Sequence, residues 1–414
     1  MIGTQLLRVS ACCLGVLVGA GARAGGREYT VYDIGNLGCH TNTEARDVND
    51  HGAVVGLSTP VECVLPQAVL WHNGILTSLE GAYEGWFFRG AAGISENGVI
   101  AGSGDPEEAL VYHEGTAIPL DTPEGCGEND PTLGINSKGT LIVGRCGTEV
   151  EHDPRPTLYF TDSLEAVNLG VLPDAPPNSE GFAEGVNDDG VVVGRITTIV
   201  GNFAFIWQDG LMREIVNTVG GAYGNAYAIN NAGMIVGSAE TQSGFPAMQY
   251  DMNTGVMEVL GPGTAFGIND RGSAVGRDIQ DFTGKHAMLY EGGETIDLHE
   301  FMPAFWATSV ACSINNYGWI VGDAEALNGN DFGWLLVPIY DKGDYDGDTD
   351  VDHQDFANFQ RCFAAEPYID GTLHVGCSVF DFDDDMDLDL DDYAAFQSAF
   401  TGPTAPNLNP NGPA

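Results

Sequence analysis

One short phrase occurs seven times in this chain of 414 residues. It reads RDVNDHGAVVG, AAGISENGVIAG, LGINSKGTLIVG, EGVNDDGVVVG, YAINNAGMIVG, FGINDRGSAVG and CSINNYGWIVG. The recurring Asn or Ser falls at Asn49, Ser95, Asn136, Asn187, Asn230, Asn269 and Asn315, at intervals of 46, 41, 51, 43, 39 and 46 residues. That period, with a hairpin at its centre, is the length of one propeller blade. In each copy an alternating strand runs into Asn-x-x-Gly and a β-branched strand follows. The Asn side chain can cap the turn, and the Gly supplies the positive φ that closes it. The seven Asn or Ser positions are therefore read as architectural. The glycine ending each phrase, from Gly56 to Gly322, marks a bulge or a close backbone approach.

A second phrase follows each hairpin: QAVLWHNG, EALVYHEG, PTLYFTDS, FAFIWQDG, PAMQYDMNTG, HAMLYEGG and FGWLLVP. It alternates apolar and aromatic residues and then turns, as a buried strand does. Trp71, Tyr112, Tyr159, Trp207, Tyr250, Tyr290 and Trp334 recur at one position of it, which predicts core packing between blades in preference to a sugar-stacking ladder. Six repeats add a fourth element such as LTSLEG or AIPLDT, but the seventh stops at Pro338. The missing strand is supplied by YTVYDIGNLG at residues 29 to 38, so an N-terminal strand completes the last blade and removes both open edges. The expected fold is mainly β: a seven-bladed β-propeller over residues 29 to 338, closed by its N-terminal strand. Composition agrees, with 57 Gly and 20 Pro marking many turns and 43% hydrophobic residues sufficient for a core.

These units resemble the bacterial extracellular HAF-repeat proteins, whose pattern of D-L-G-x-L-G, then G-I-N-x-x-G-x-V-V-G, then A-F-L-W-x-x-G runs through about three quarters of the chain. The resemblance implies an extracellular location and transfers no catalytic residue.

Residues 1 to 24 carry Arg8, the apolar run CCLGVLVGAGA and then Ala22-Arg23-Ala24, the small-x-small form cut by signal peptidase. A secreted chain cleaved after Ala24 is expected. The string VSAC ending at Cys12 is like a lipoprotein box, but the apolar stretch follows the cysteine instead of preceding it. No later segment has the eighteen or so apolar residues of a transmembrane helix. Secretion makes disulfides expected. Cys39 and Cys63 flank Asn49 as Cys126 and Cys146 flank Asn136, so each pair would staple the base of a hairpin, in blades one and three. Cys312, inside a strand of blade seven, is read as a buried free thiol.

With 15 Lys and Arg against 59 Asp and Glu, the chain has a formal net charge of −44. Nucleic acid is excluded as a natural partner, since phosphate binding needs the opposite sign. The acidity is concentrated between Asp341 and Asp392, which hold 17 acidic residues against Lys342 and Arg361. Two aligned runs, DYDGDTDVDHQDFANFQRCF from Asp344 and DFDDDMDLDLDDYAAFQSAF from Asp381, lie 37 residues apart. In each, oxygen donors recur at positions one, three, five, seven, nine and twelve, the spacing with which an EF-hand loop wraps Ca2+. The expected ligands are Asp344, Asp346, Asp348, Asp352 and Asp355 with the carbonyl of Asp350, and Asp381, Asp383, Asp385, Asp389 and Asp392 with the carbonyl of Asp387. So many carboxylates in one place repel one another without a cation, so two ions are expected to fold the segment. Phe356, Phe359 and Phe363, repeated as Tyr393, Phe396 and Phe400, predict two helices packing aromatic faces. Cys362 and Cys377 are expected to tie the first helix to the start of the second loop. TGPTAPNLNPNGPA, after residue 400, has no core pattern and is expected to be disordered.

The segment over residues 343 to 400 resembles a type I dockerin module. The resemblance implies a cohesin-like or cell-surface protein partner. Thr349 and Met386 stand where the loop's sixth position usually carries Gly, which predicts a tighter turn or weaker binding. His353-Gln354 and Leu390-Asp391 stand where cellulosomal dockerins carry Ser-Thr pairs, which leaves an anchoring or stabilising role as open as cohesin binding.

Two function classes follow. One is a secreted non-catalytic binding or surface protein, with the propeller as platform, the calcium module as connector and extracellular glycan or protein as ligand. The other is a secreted carbohydrate-active enzyme, a glycoside hydrolase or lyase, with facing carboxylates in the propeller funnel. The chain has no G-x-S-x-G, no H-E-x-x-H, no P-loop and no dinucleotide fingerprint. The nine His are scattered, His72 and His113 falling at equivalent strand ends. No catalytic residue is assigned, and the first class is favoured.

Overall fold

The structure, a computed structural model, describes residues 27–37, 41–60, 65–79, 87–105, 108–124, 126–148, 154–281, 284–364 and 373–402. The expected signal peptide, Cys39, Cys63 and all but the first two residues of the expected disordered tail lie outside the described residues.

Seven four-stranded antiparallel sheets make a β-propeller. In the first blade the strands are Thr41–Val48, Val54–Pro60, Gln67–His72 and Ile75–Ser78, in that order across the sheet. The seventh blade takes three strands from the end of the repeat region, Trp306–Ile314, Ile320–Ala326 and Asp331–Pro338, and its fourth from the N-terminus. That strand, Tyr29–Asp33, pairs antiparallel with the third, Tyr29 opposite Pro338 and Asp33 opposite Trp334. The closure expected from the missing seventh element is therefore present.

The repeated Asn residues hold the blades in register around the ring. All seven Asn or Ser positions are buried. Asn49 Oδ1 accepts from the backbone of His51 and Ala53, capping its own turn, while its Nδ2 donates to the carbonyl of Ser95 in the next blade at 3.0 Å. The same bond runs from Asn187 to Asn230, Asn230 to Asn269, Asn269 to Asn315, and Asn315 back to Asn49. Asn136 reaches Asp188 instead, and where Ser95 has no amide to offer, the backbone of Glu96 donates to Ser137 O at 2.9 Å. The circle thus closes through side chains as well as through the N-terminal strand.

At Gly194 a Cβ would overlap the carbonyl oxygen of Phe182, where the strand register slips between Ala183 and Gly185. This is the bulge that the terminal glycine of the phrase predicts. Of the recurring aromatics, Trp71, Tyr159, Tyr250, Tyr290 and Trp334 are buried and Tyr112 and Trp207 half-buried, as core packing requires. Disulfides join Cys126 to Cys146 and Cys362 to Cys377, and Cys312 is free, half-buried where full burial is expected. Burial pushes the Cys312 thiol well above its ordinary pKa.

Beyond Pro338 the chain forms two acidic loops, each followed by a short helix: α1 at His353–Ala364 and α2 at Leu390–Ala399. The aromatic stripes meet, Phe359 lying 5.1 Å from Phe396 and Phe356 lying 6.0 Å from it. Phe359 and Phe396 are buried, but Phe363 and Phe400 stay 43% and 38% exposed. Contact is centred on Phe359 and Phe396, and the last turn of each helix lies past it. Among the described residues no helix is long and apolar enough to cross a membrane.

Candidate metal centre

The two loops fold alike because the carboxylates at positions one and twelve cap matching backbone amides, although Asp344 Oδ1 accepts from Gly347 N and Asp381 Oδ1 from Asp385 N. At the twelfth position Asp355 Oδ1 accepts from Tyr345 N at 2.7 Å and its Oδ2 from Asp352 N at 2.8 Å. Asp392 repeats this with Phe382 N at 2.7 Å and Asp389 N at 2.9 Å. At the first position Asp344 Oδ2 accepts from Thr349 N and Asp381 Oδ2 from Met386 N, both at 3.1 Å. Each loop thereby turns its carboxylates inward. In the first, oxygens of Asp344, Asp346 and Asp355, and of Asp350, Asp352 and Asp355, lie within 4.8 Å of one another. In the second, Asp381, Asp383 and Asp392, and Asp387, Asp389 and Asp392, do the same.

Ten of the twelve expected positions are thus brought into converging groups. Asp350 and Asp387 enter through their carboxylates, although the spacing assigned them a carbonyl. Asp348 and Asp385, at the fifth position, accept backbone bonds from Asp350 N and Asp387 N, both at 3.1 Å, and fall outside the groups. The donors are all hard oxygens, the set suited to a hard divalent cation such as Ca2+ and not to a metal that prefers nitrogen or sulfur. Burial, together with neighbouring carboxylates, raises the pKa of Asp344 and of Asp346 to about 6. The anionic form is therefore costly in the loop, and positive charge at its centre relieves that cost.

Thr349 and Met386 occupy the sixth position at φ of 76° and 71°, the left-handed conformation for which Gly is usual. The expected tighter turn does not occur: both loops keep the glycine-type backbone and carry the strain of a side chain there.

The two loops differ in their surroundings. In the first loop Asp344, Asp346, Asp350, Asp352 and Asp355 are all buried, whereas Asp383, Asp385 and Asp387 in the second are exposed. The cause is the propeller. Arg271, from the sixth blade, lies 3.2 Å from Asp346 Oδ2 and also donates to the Asp346 carbonyl. Tyr317 of the seventh blade packs edge-on against Tyr345 at 5.1 Å, and Tyr340 Oη donates to Tyr317 O at 3.0 Å. Trp319, Tyr345, Phe359, Phe380 and Phe396 belong to one apolar cluster shared by propeller and acidic segment.

This docking is absent from the expectations drawn from sequence, although a signal existed. At the position of Trp319 the other six hairpins carry Ala53, Val99, Thr140, Val191, Met234 and Ser273. A lone Trp breaking an otherwise non-aromatic repeat position marks a neighbour that the repeat itself does not supply.

No protein-family model matches this sequence, and no curated protein matches it. Solved structures do match in fold. An oligogalacturonate lyase in complex with manganese is 11% identical, with 77% of this chain and 95% of that one covered at a TM-score of 0.52. The oligogalacturonate lyase of Vibrio parahaemolyticus is 10% identical, with 76% and 94% covered at 0.53. TolB from Acinetobacter baumannii is 10% identical over 72% of this chain at 0.39, and the match spans 64% of that protein's length. At such identities the likeness is one of propeller architecture and carries no activity with it.

Proposed function

We propose that this is a secreted, calcium-binding surface protein without catalytic activity, in which a seven-bladed platform carries a two-site, dockerin-like calcium module. The observation that carries the reading is the equivalence of the two loops. Two stretches 37 residues apart gather oxygen ligands around matching centres by matching backbone bonds. A merely solvated acidic tail has no reason to do this twice. Asp344, Asp346, Asp350, Asp352 and Asp355 would hold one Ca2+ and Asp381, Asp383, Asp387, Asp389 and Asp392 the other, with Asp348 and Asp385 completing the shells. The ion supplies charge neutralisation and folding energy to a segment whose carboxylates otherwise repel.

The first loop is committed to the propeller, so attachment to a cell-surface or cohesin-like protein falls to the outward side of the second. There Met386 and Leu390 are 62% and 72% exposed, which supports a contact surface at that end. Calorimetric titration of the full chain should find two calcium ions, and Asp392→Asn should remove one. No calcium-dependent heat would sink the reading. Incubation with insoluble polysaccharides in calcium should release no reducing ends, and release would instead favour the carbohydrate-active enzyme.

A further inference from the structure

Where the acidic segment meets the propeller, a cavity of about 170 Å³ remains at the seam. His51 and His72 face it from the first blade and Trp319 from the seventh, while Tyr345, Arg361 and His374 close it from the acidic segment. Neither part has this cavity alone. Its charge is unlike that of the rest of the molecule. In a chain with 59 carboxylates against 15 Lys and Arg, the described residues of its lining include an arginine and three histidines and no Asp or Glu. Acidic groups stand behind the lining: Glu96 lies 3.3 Å from His51 Nδ1, and Asp355 accepts from Tyr345 N at 2.7 Å.

We infer that this seam cavity is a binding site for a small monocyclic carboxylate, such as a uronic acid. Arg361 lies over the Tyr345 ring at 5.5 Å and donates to its hydroxyl at 2.8 Å, which holds the guanidinium at the cavity wall while leaving further N–H donors. A planar guanidinium recognises a carboxylate through paired N–H bonds. His72, whose pKa is lowered by desolvation, opposed by its hydrogen bond to His51 O at 3.2 Å, and lowered further by His374, Arg361 and His51, gains a favourable charge partner when an anion enters, so binding takes up a proton. A metal ion fits less well, because among the described residues the side chains that converge as a metal group are all aspartates. Phosphate also fits less well, because Trp319, Val375 and the Cys362–Cys377 disulfide give the wall an apolar stretch, with Asn73 as a further polar residue, that suits a ring better than four oxygens. The volume matches one ring, since an apolar cavity of about 150 Å³ takes up benzene.

The test is calorimetry on the full chain in calcium, with sodium D-galacturonate, sodium benzoate, sodium phosphate and neutral D-galactose as probes. Galacturonate or benzoate should bind with proton uptake, revealed by buffers of different ionisation heat, and should bind more tightly at pH 5.5 than at pH 7.5. Arg361→Gln should weaken that binding about tenfold or more, the scale of one lost charged hydrogen bond. His72→Gln, at a strand end, should reduce the proton uptake, the remainder belonging to His51 and His374. Which carboxylate binds separates a sugar acid from an aromatic one. The inference is overturned if neither carboxylate binds, if both variants bind like the parent, or if phosphate or galactose binds better. Calcium is titrated into the same sample first, so a missing calcium response with intact anion binding counts against the calcium reading alone.

Discussion

The indole of Trp319 lies so close to Gly376 that a methyl group there would overlap its ring, and Gly52 approaches the same ring from the first blade. Both glycines have positive φ, 73° at Gly52 and 81° at Gly376. Trp319 is thus held in a slot with one wall from the propeller and one from the acidic segment. The slot fixes how the acidic loops sit against the blades, and with them the seam cavity.

Gly376→Ala should therefore act on docking before it acts on either fold. The substitution pays for a left-handed alanine, about 1 to 2 kcal/mol, and for overlap with a ring that the blade holds in place. A lower melting temperature should be accompanied by loss of near-ultraviolet circular dichroism from the seam aromatics. An unchanged melt and spectrum would show that the slot is looser than described.

The two loops should respond differently to loss of a carboxylate, since among the described residues it is the first that meets Arg271 and Tyr317 of the propeller. Asp355→Asn disturbs a loop that meets Arg271 through Asp346 and Tyr317 through Tyr345. Backbone amides of Tyr317 and Trp319 should then exchange hydrogen about tenfold faster, a local opening cheaper by about 1.4 kcal/mol. Asp392→Asn should leave them alone while loosening α2. Equal effects of the two substitutions would mean that the loops are coupled through the helices and not through the blade.

The repeat is legible because each blade states its own plan: the Asn that caps, the Gly that turns and the Gly that bulges recur seven times. Closure is legible because an element is missing at one end and present at the other. The acidic loops are legible because ligand spacing is a property of consecutive residues. Docking is different in kind, because it joins Trp319 to Gly376 and Arg271 to Asp346, pairs with no common period. Thr349 and Met386 show a related limit. Their residue type argues against a left-handed turn, yet the six carboxylates around each loop impose it.

That imposed strain gives a third prediction. Thr349→Gly and Met386→Gly remove a left-handed side chain worth about 1 to 2 kcal/mol, against about 0.5 to 1 kcal/mol of added chain entropy in the unfolded state. Each should leave the protein as stable or slightly more so, and calcium affinity should rise a few-fold because the loop no longer resists its bound shape. A fall in affinity in the titration would mean that the side chains contribute contacts outweighing the strain.

The last prediction concerns the seam between the seventh and first blades, where Asp323 accepts a hydrogen bond from Ala45 N at 2.9 Å. Burial, and then the charge of Glu44, raises its carboxyl to a pKa of about 7, well above its ordinary value of about 3.9. Such a group favours the folded state while it keeps its proton, and that contribution is lost as pH rises through about 7. Asp47, also raised by burial, accepts from Ile94 N at 2.8 Å and Ser313 Oγ at 2.6 Å in the same region, so some pH dependence belongs to it. Asp323→Asn keeps the acceptor for Ala45 and cannot ionise. The fall in melting temperature between pH 5 and pH 8 should shrink in this variant, with near equality to the parent at pH 5 and an advantage at pH 8. Parallel profiles would show that Asp323 titrates without consequence for closure, and would leave the Asn ring and the N-terminal strand as what holds the seam at every pH.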